Sequence, residues 1–216
     1  ISRSDAVKSN QRKLNSQKKL SYLISKKRFI SLFPGICFVG VTGSTAAFNA
    51  KRGDDIDVFI VTLPGTLWIV RPLFLLYLSL FFQVRKRNTP HNQTKNHICP
   101  NLWLDLDNLA VPIDSQNLYT AHEVLQVVPI INKYCSYEKF ILANSWSKQY
   151  LANAYYEVTK KTQKQFKSKI GYTSILYPIN LLMFVIQYLF MRNHIGGERV
   201  GLGYAYFHNK DYNSPI

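Results

Sequence analysis

The sequence has few cysteines, few acidic residues and no apolar run as long as a membrane span. Its three cysteines, Cys37, Cys99 and Cys135, lie far apart in a chain of 216 residues. A sparse, odd set argues against a disulfide framework and is typical of a reducing compartment. The N-terminal segment is polar and lysine-rich and lacks the apolar core of a signal peptide. We therefore expect a cytoplasmic protein.

Acidic side chains are outnumbered by basic ones. The chain contains 12 Asp and Glu residues against 27 Lys and Arg residues, which gives a formal net charge of +15. A surface of this charge attracts nucleic acid, nucleotides or anionic membranes, although it says nothing about the fold. Composition thus favours a partner that carries negative charge.

Two segments, 68–84 and 175–190, are strongly apolar. Both are shorter than the roughly 20 residues that a bilayer core requires. Arg71 and Pro72 interrupt the first, and polar residues interrupt the second. We interpret both as packing helices and expect no membrane span. A membrane-associated protein with both segments in lipid remains an alternative.

The most informative stretch joins a Gly-Ser turn, Gly43-Ser44, to two alternating acids, Asp55 and Asp57. Residues two apart on a strand share a face, so we expect the two carboxylates to project together. Carboxylates about 7 Å apart repel by roughly 2 kcal/mol at an effective dielectric constant near 20. Oxygen ligands in this arrangement suit Mg²⁺, and glycine lets a phosphate approach the backbone closely. The pattern therefore predicts a metal site beside a phosphate site.

Gly43-Ser44, a gap of ten residues and Asp55-x-Asp57 between apolar residues resemble the signature of the nucleotidyltransferase superfamily that includes DNA polymerase beta. The later stretches 119–154 and 187–211 are similar to uncharacterised bacterial proteins that carry this domain. The resemblance implies an α+β fold, in which a minimal core with a short mixed β-sheet is flanked by helices. It also implies transfer of a nucleoside monophosphate from a nucleoside triphosphate to an acceptor, with Mg²⁺ or Mn²⁺ as cofactor. RNA or another phosphate-rich molecule would suit the positive charge as acceptor.

The resemblance also implies roles for individual residues. Asp55 and Asp57 would bind the metal, and Gly43 and Ser44 would hold the β- and γ-phosphates. The superfamily places a third carboxylate on a later strand, for which Asp105 is the first candidate. Asp107 is the next candidate. If the strand register differs, Asn101 would occupy this place and would offer only a neutral ligand.

The nucleotide site is less complete than the metal site. Many superfamily members carry an arginine shortly after the Gly-Ser turn, whereas this chain has Ala46 and Ala47. Lys51 or Arg52 would have to supply the positive charge, Thr45 would add to the turn, and Arg71 would either reach the triphosphate or extend to water. A catalytically weak or inactive member that binds nucleotides or RNA is therefore the first alternative function.

The domain prediction divides the chain near residue 112. Residues 1–112 would form the nucleotidyltransferase core with an N-terminal basic helix, and residues 113–216 a helical C-terminal half packed on that core. The apolar periodicity predicts strands over 36–41, 55–62 and 98–109 and helices over 5–29, 118–131, 136–154 and 175–190.

Overall fold

The structure is a computed structural model and describes residues 3–85, 89, 94–162, 174–194 and 198–207. The fold is α+β, with a six-stranded mixed sheet and about 55% of the described residues in helices. This confirms the predicted fold class at that level. The strands are β1 (Ile36–Val41), β2 (Ile56–Thr62), β3 (Ile98–Asp105), β4 (Val128–Asn132), β5 (Arg199–Gly201) and β6 (Tyr204–Tyr206).

The described helices vary widely in length. They are α1 (Arg3–Ser31), α2 (Gly43–Ala46), α3 (Leu67–Phe81), α4 (Leu118–Leu125), α5 (Ser136–Ala143), α6 (Ala152–Thr162) and α7 (Tyr177–Met191). Short 3-10 turns connect several of them. Among these helices, none combines the length and the apolar character that crossing a membrane would need.

The sheet order is β4-β1-β2-β3-β6-β5. Only the central β2–β3 pair is parallel among these neighbours. In that pair Asp57 lies opposite Cys99, and Thr62 lies opposite Asp105. The N-terminal ends of β2 and β3 therefore meet at one edge of the sheet, with a register shift that follows Pro100 in β3.

Helices cover both faces of the sheet. On one face α1 and α3 pack on alternate residues of β2, namely Ile56, Val58 and Ile60. On the other face α4, α5 and α6 pack on Phe59 and Val61. Because side chains alternate along a strand, Asp57 projects toward the second face, near the start of β2.

Two polar side chains of α7 complete the backbone hydrogen bonding of α3. Pro72 has no N–H, so the carbonyl of Trp68, four residues earlier, lacks its helical partner. Gln187 Nε2 donates to that carbonyl oxygen at 2.7 Å. Asn180 Oδ1 accepts from the Trp68 N–H at 2.8 Å, a donor that the first helical turn leaves unpaired. The proline is thus accommodated because α7 supplies the missing partners.

The helical C-terminal half is a partial error of the sequence analysis. The segment after residue 112 also contributes three strands: β4 pairs with β1, β6 pairs with β3, and β5 pairs with β6. The predicted helix over 118–131 ends at Leu125, and a strand follows it. A short apolar run such as Val128–Ile131 has the same composition in a buried strand as in a helix, so periodicity does not separate the two. The two predicted parts therefore share one sheet.

Candidate active site

The strand β2 brings the two acids of the motif together. Asp55 immediately precedes β2, and Asp57 is its second residue. One carboxylate oxygen of each acid and the Sγ atom of Cys99 all lie within 4.8 Å of one another. Asp55 is buried, while Asp57 and Cys99 are partly exposed. The cluster is a group of potential ligands that a small cation can reach.

The Gly-Ser turn lies directly against Asp57. The Thr42 N–H donates to the Asp57 carbonyl oxygen at 3.0 Å. Gly43 has φ of +60°, and a Cβ atom added there would lie 2.6 Å from Asp57 Oδ2. Only glycine fits this position, because the left-handed conformation disfavours other residues and a side chain would overlap the carboxylate.

Each acid has one strong partner from a neighbouring segment. Arg85 Nη1 donates to Asp55 Oδ2 at 2.7 Å, and the arginine side chain is about one-third exposed. Asn101 Nδ2 donates to Asp57 Oδ1 at 2.7 Å. Hence Asp55 is already part of an ion pair, whereas Asp57 is supported by a neutral amide.

The environment of Asp57 disfavours its charged form. Burial and, after it, the nearby charge of Asp55 raise the pKa of Asp57 to about 7, although Arg85 opposes the shift. Without additional positive charge, Asp57 therefore keeps its proton until the pH approaches neutrality. This is the electrostatic cost that a bound divalent cation would remove.

Sequence reasoning missed Cys99 and Arg85 as members of the site. Cys99 enters because the parallel register places it opposite Asp57, and Arg85 follows α3 and reaches back to Asp55. Burial raises the pKa of the Cys99 thiol, and its hydrogen bond to Asp55 acts in the same direction. The thiol is therefore protonated and donates to the carboxylate. The sequence signal for Arg85 is its place at the start of the basic run Arg85-Lys86-Arg87, a composition that is also typical of a solvated loop.

The other residues assigned to the Gly-Ser turn have mixed environments. Ser44 Oγ donates to Asp54 Oδ2 at 3.3 Å, and the Lys51 backbone N–H donates to the same oxygen at 2.8 Å. The Lys51 side chain is exposed, whereas Thr45 is 1% exposed. Thr45 therefore packs inside the fold. Gly43 and Ser44 themselves begin α2, a helix of a single turn that is too short to add a useful dipole.

A carboxylate from α4 also approaches the turn. Glu123 is partly buried, and burial raises its pKa, while hydrogen bonds from Tyr119 and from the Gly43 backbone lower it. Its charge is one of those that raise the pKa of Asp57. The group that accepts the Gly43 N–H in this structure is thus the carboxyl group of Glu123.

Asp105, the first candidate for the third carboxylate, is not brought to the pair. It is the last residue of β3 and lies opposite Thr62, six residues beyond Cys99, which corresponds to about 20 Å along the strand. Its carboxylate accepts from the Asp107 N–H and from Asn108 Nδ2. Asp107 is exposed beyond the same end. The register instead places Asn101 beside Asp57, which was the neutral alternative.

Arg71 is also remote from the acids. It lies on α3, which packs on the face of β2 opposite to that of Asp57. Its Nη1 donates to Gln187 Oε1 at 3.0 Å, and its guanidinium lies 4.5 Å from the centre of the Phe207 ring. Burial lowers the pKa of Arg71 to about 10. The side chain therefore packs α3 against α7 and against Phe207, the residue after β6.

The donor set partly fits the predicted Mg²⁺ or Mn²⁺. Asp55, Asp57 and the side-chain oxygen of Asn101 are hard oxygen donors of the kind that both ions accept. The protonated Cys99 thiol is not a ligand for them, and Arg85 occupies one oxygen of Asp55. Two carboxylates and an amide could hold one such ion if the remaining positions were filled by water or phosphate.

No protein-family model, curated protein or solved structure matches this chain. The fold and the site therefore define its class only in structural terms. It is an α+β protein with a mixed sheet, and an acidic cluster lies where its two parallel strands begin.

Proposed function

We propose that the Asp55–Asp57 site binds a divalent cation with a nucleoside triphosphate and transfers the nucleoside monophosphate to an acceptor. The observation that carries the proposal is that one carboxylate oxygen of each acid and Cys99 Sγ lie within 4.8 Å of one another, with Asp57 directly against Gly43. Such a pair is costly for a fold unless a cation compensates it. The reaction class comes from the resemblance of the Gly-Ser and Asp-x-Asp pattern to the signature of the nucleotidyltransferase superfamily.

The roles of the residues follow from their positions. Asp55, Asp57 and the Asn101 amide oxygen would hold Mg²⁺ or Mn²⁺, which when bound neutralises charge on the phosphates. Gly43 leaves room for a phosphate beside Asp57 because it has no side chain. A phosphate at the Gly43 N–H would take the place of Glu123.

Arg85 would supply the positive charge that the sequence lacks after the Gly-Ser turn. It already contacts Asp55 and remains one-third exposed. Rotation of its guanidinium toward a phosphate would free one oxygen of Asp55. Arginine suits this role because its planar group pairs with either a carboxylate or a phosphate.

A nucleotide-binding protein with little or no transferase activity is the second candidate. Two contacts favour it, the Arg85–Asp55 ion pair and the Asn101–Asp57 hydrogen bond. The ion pair competes with a metal for Asp55. The hydrogen bond shows that a neutral amide lies beside Asp57, where a third carboxylate would bind the metal more strongly. A site with two acids would hold one ion more weakly than a site with three.

The decisive first experiment measures heat stability with each of the four ribonucleoside triphosphates. We expect an increase in melting temperature with triphosphate and Mg²⁺ together, and none with triphosphate and EDTA. Asp57→Asn should abolish the increase, whereas the control Asp107→Asn should retain it, because Asp107 is exposed at the far end of β3. An unchanged response of Asp57→Asn would contradict the proposal.

A second experiment separates the enzyme from the binder. The protein is incubated with triphosphate labelled at the α-phosphate, Mg²⁺ or Mn²⁺, and total RNA or the protein itself as acceptor. Label on the acceptor that depends on Asp57 supports the transferase. Metal-dependent stabilisation without any transfer supports the binding protein.

A further inference from the structure

The polar side chains Asn180 and Gln187 of helix α7 point into the protein, whereas most of its apolar side chains are exposed. Its fifteen residues include no Asp, Glu, Lys, Arg or His. Asn180 is fully buried and Gln187 partly so, and both bond to the backbone of α3 at Trp68. This polarity is the reverse of that expected for a helix at the surface of a water-soluble domain.

The outward side of α7 is apolar along its length. Leu182, Val185, Ile186, Leu189 and Phe190 are all between 43% and 82% exposed. Monomeric soluble proteins rarely expose contiguous apolar patches beyond about 300–600 Å². An apolar side that runs along a whole helix therefore indicates a partner that is itself apolar.

The packed helix α3 extends the same kind of surface. Leu73, Leu76, Leu80 and Phe81 are between 54% and 69% exposed. The single charged residue of α3, Arg71, is turned inward to Gln187 and Phe207. We call the outward apolar side chains of α3 and α7 the apolar face.

Positive charge borders this face. Phe29 of α1 packs on Phe81 and Tyr77, with ring centres 4.5 Å and 4.8 Å apart respectively. The three residues before it, Lys26, Lys27 and Arg28, are exposed. The protein as a whole carries a net charge of +15. An apolar face bordered by basic side chains is complementary to a partner that has an apolar interior and anionic groups at its boundary.

We propose that the apolar face binds the surface of an anionic lipid bilayer. A helix of fifteen residues is about 22 Å long, shorter than the roughly 30 Å of the hydrocarbon core, so α3 and α7 would enter one leaflet. The hydrogen bonds from Asn180 and Gln187 to the backbone of α3 suit a lipid environment. Backbone groups that a proline leaves unpaired in a lipid-facing helix must be satisfied by a neighbouring helix. Lys26, Lys27 and Arg28 would contact the head groups.

The test is co-sedimentation of the full chain with vesicles, at low salt. One set of vesicles is pure phosphatidylcholine, and the other contains phosphatidylglycerol at about one-third of the lipid, so that the apolar and electrostatic contributions are separated. We expect the protein to sediment with the anionic vesicles and more weakly with the neutral ones. The double variant Leu182→Glu, Phe190→Glu should reduce binding at least tenfold, because it places two carboxylates on the apolar face.

The matched control is Ile113→Glu, Leu142→Glu. These residues are also at least half exposed, the substitutions change the charge equally, and both residues lie outside α3 and α7. The control should bind like the unmodified chain. Circular dichroism shows whether both double variants keep the fold, which is expected because all four residues are exposed.

Three results would overturn the proposal. One is absence of sedimentation with either type of vesicle, and another is equal binding by both double variants. The third is a dimer in analytical ultracentrifugation that Leu182→Glu, Phe190→Glu dissociates, together with no vesicle binding. That result would assign the apolar face to a second copy of this chain.

Discussion

Asn101 lies beside Asp57 and donates a hydrogen bond to its Oδ1 atom at 2.7 Å. The contact exists because β2 and β3 are parallel and in a register that places Cys99 opposite Asp57. A carboxylate at residue 101 would complete a cluster of three acids. The present cluster has two acids and an amide, and this difference governs how strongly the site would hold a cation.

Asn101→Asp should therefore strengthen divalent cation binding. We expect the dissociation constant for Mn²⁺ to fall at least tenfold, which corresponds to about 1.4 kcal/mol, measured by isothermal titration calorimetry. The metal-free variant should melt earlier than the unmodified chain, because a third negative charge is added. Asp105→Asn is the control and should leave the Mn²⁺ affinity unchanged, since Asp105 lies opposite Thr62. Weaker binding by Asn101→Asp would argue against a metal at this cluster.

Gly43→Ala should damage both the fold and the site. The new Cβ would lie 2.6 Å from Asp57 Oδ2, and the residue would have to keep φ near +60°. Left-handed backbone costs a non-glycine residue about 1–2 kcal/mol, which should appear in the free energy of unfolding. Metal-dependent stabilisation should also be lost as Asp57 is displaced. The control Gly53→Ala meets no atom within 4 Å, so equal effects of the two variants would be inconsistent with this geometry.

The stability of the metal-free protein should fall as pH rises. Folding raises the pKa of Asp57 from 3.8 to about 7, so the folded state retains a proton that the unfolded state has lost. The contribution of Asp57 is fully present below pH 3.8 and is lost as pH rises toward about 7. Melting temperatures measured from pH 4 to pH 8 should show this slope in the unmodified chain. The slope should be smaller in Asp57→Asn and unchanged in Asp107→Asn.

Metal binding should have the opposite pH dependence. Since a cation must displace the proton of Asp57, its apparent affinity should rise with pH and level off above about 7. Titrations with Mn²⁺ at a series of pH values measure this effect. A pH-independent affinity would mean that the metal binds elsewhere.

Gln187→Ala should destabilise the fold although Gln187 is on the helix that carries the apolar face. The variant removes the bond to the Trp68 carbonyl at 2.7 Å and the bond from Arg71 at 3.0 Å. The loss of a partner from a buried polar group costs about 1–3 kcal/mol, measurable by urea unfolding. The control Leu189→Ala, also on α7 but half exposed, should change the free energy by about 0.5 kcal/mol or less. Similar losses in both variants would show that Gln187 does not support α3.

Local sequence determined much of the fold. Continuous apolar residues predicted β1 with the bounds found, and β2 begins one residue later than predicted. The long basic helix α1 and the two apolar helices α3 and α7 also follow their predicted ranges closely. These elements are long or strongly apolar, so their own residues specify them. The strands β5 and β6 have three residues each and form only where β3 offers an edge.

For the site, the sequence alone determined that Asp55 and Asp57 share a face and that a glycine turn precedes them, because both depend on residues close together in the chain. Only the tertiary structure decided the third position, since it depends on how β3 aligns with β2, and a shift of two residues along a strand changes which side chain reaches Asp57. The tertiary structure also decided that Arg85 and Glu123 approach the site and which side of α7 faces inward. Each of these contacts joins segments distant in sequence, and their relative placement is set by the packing of the whole sheet.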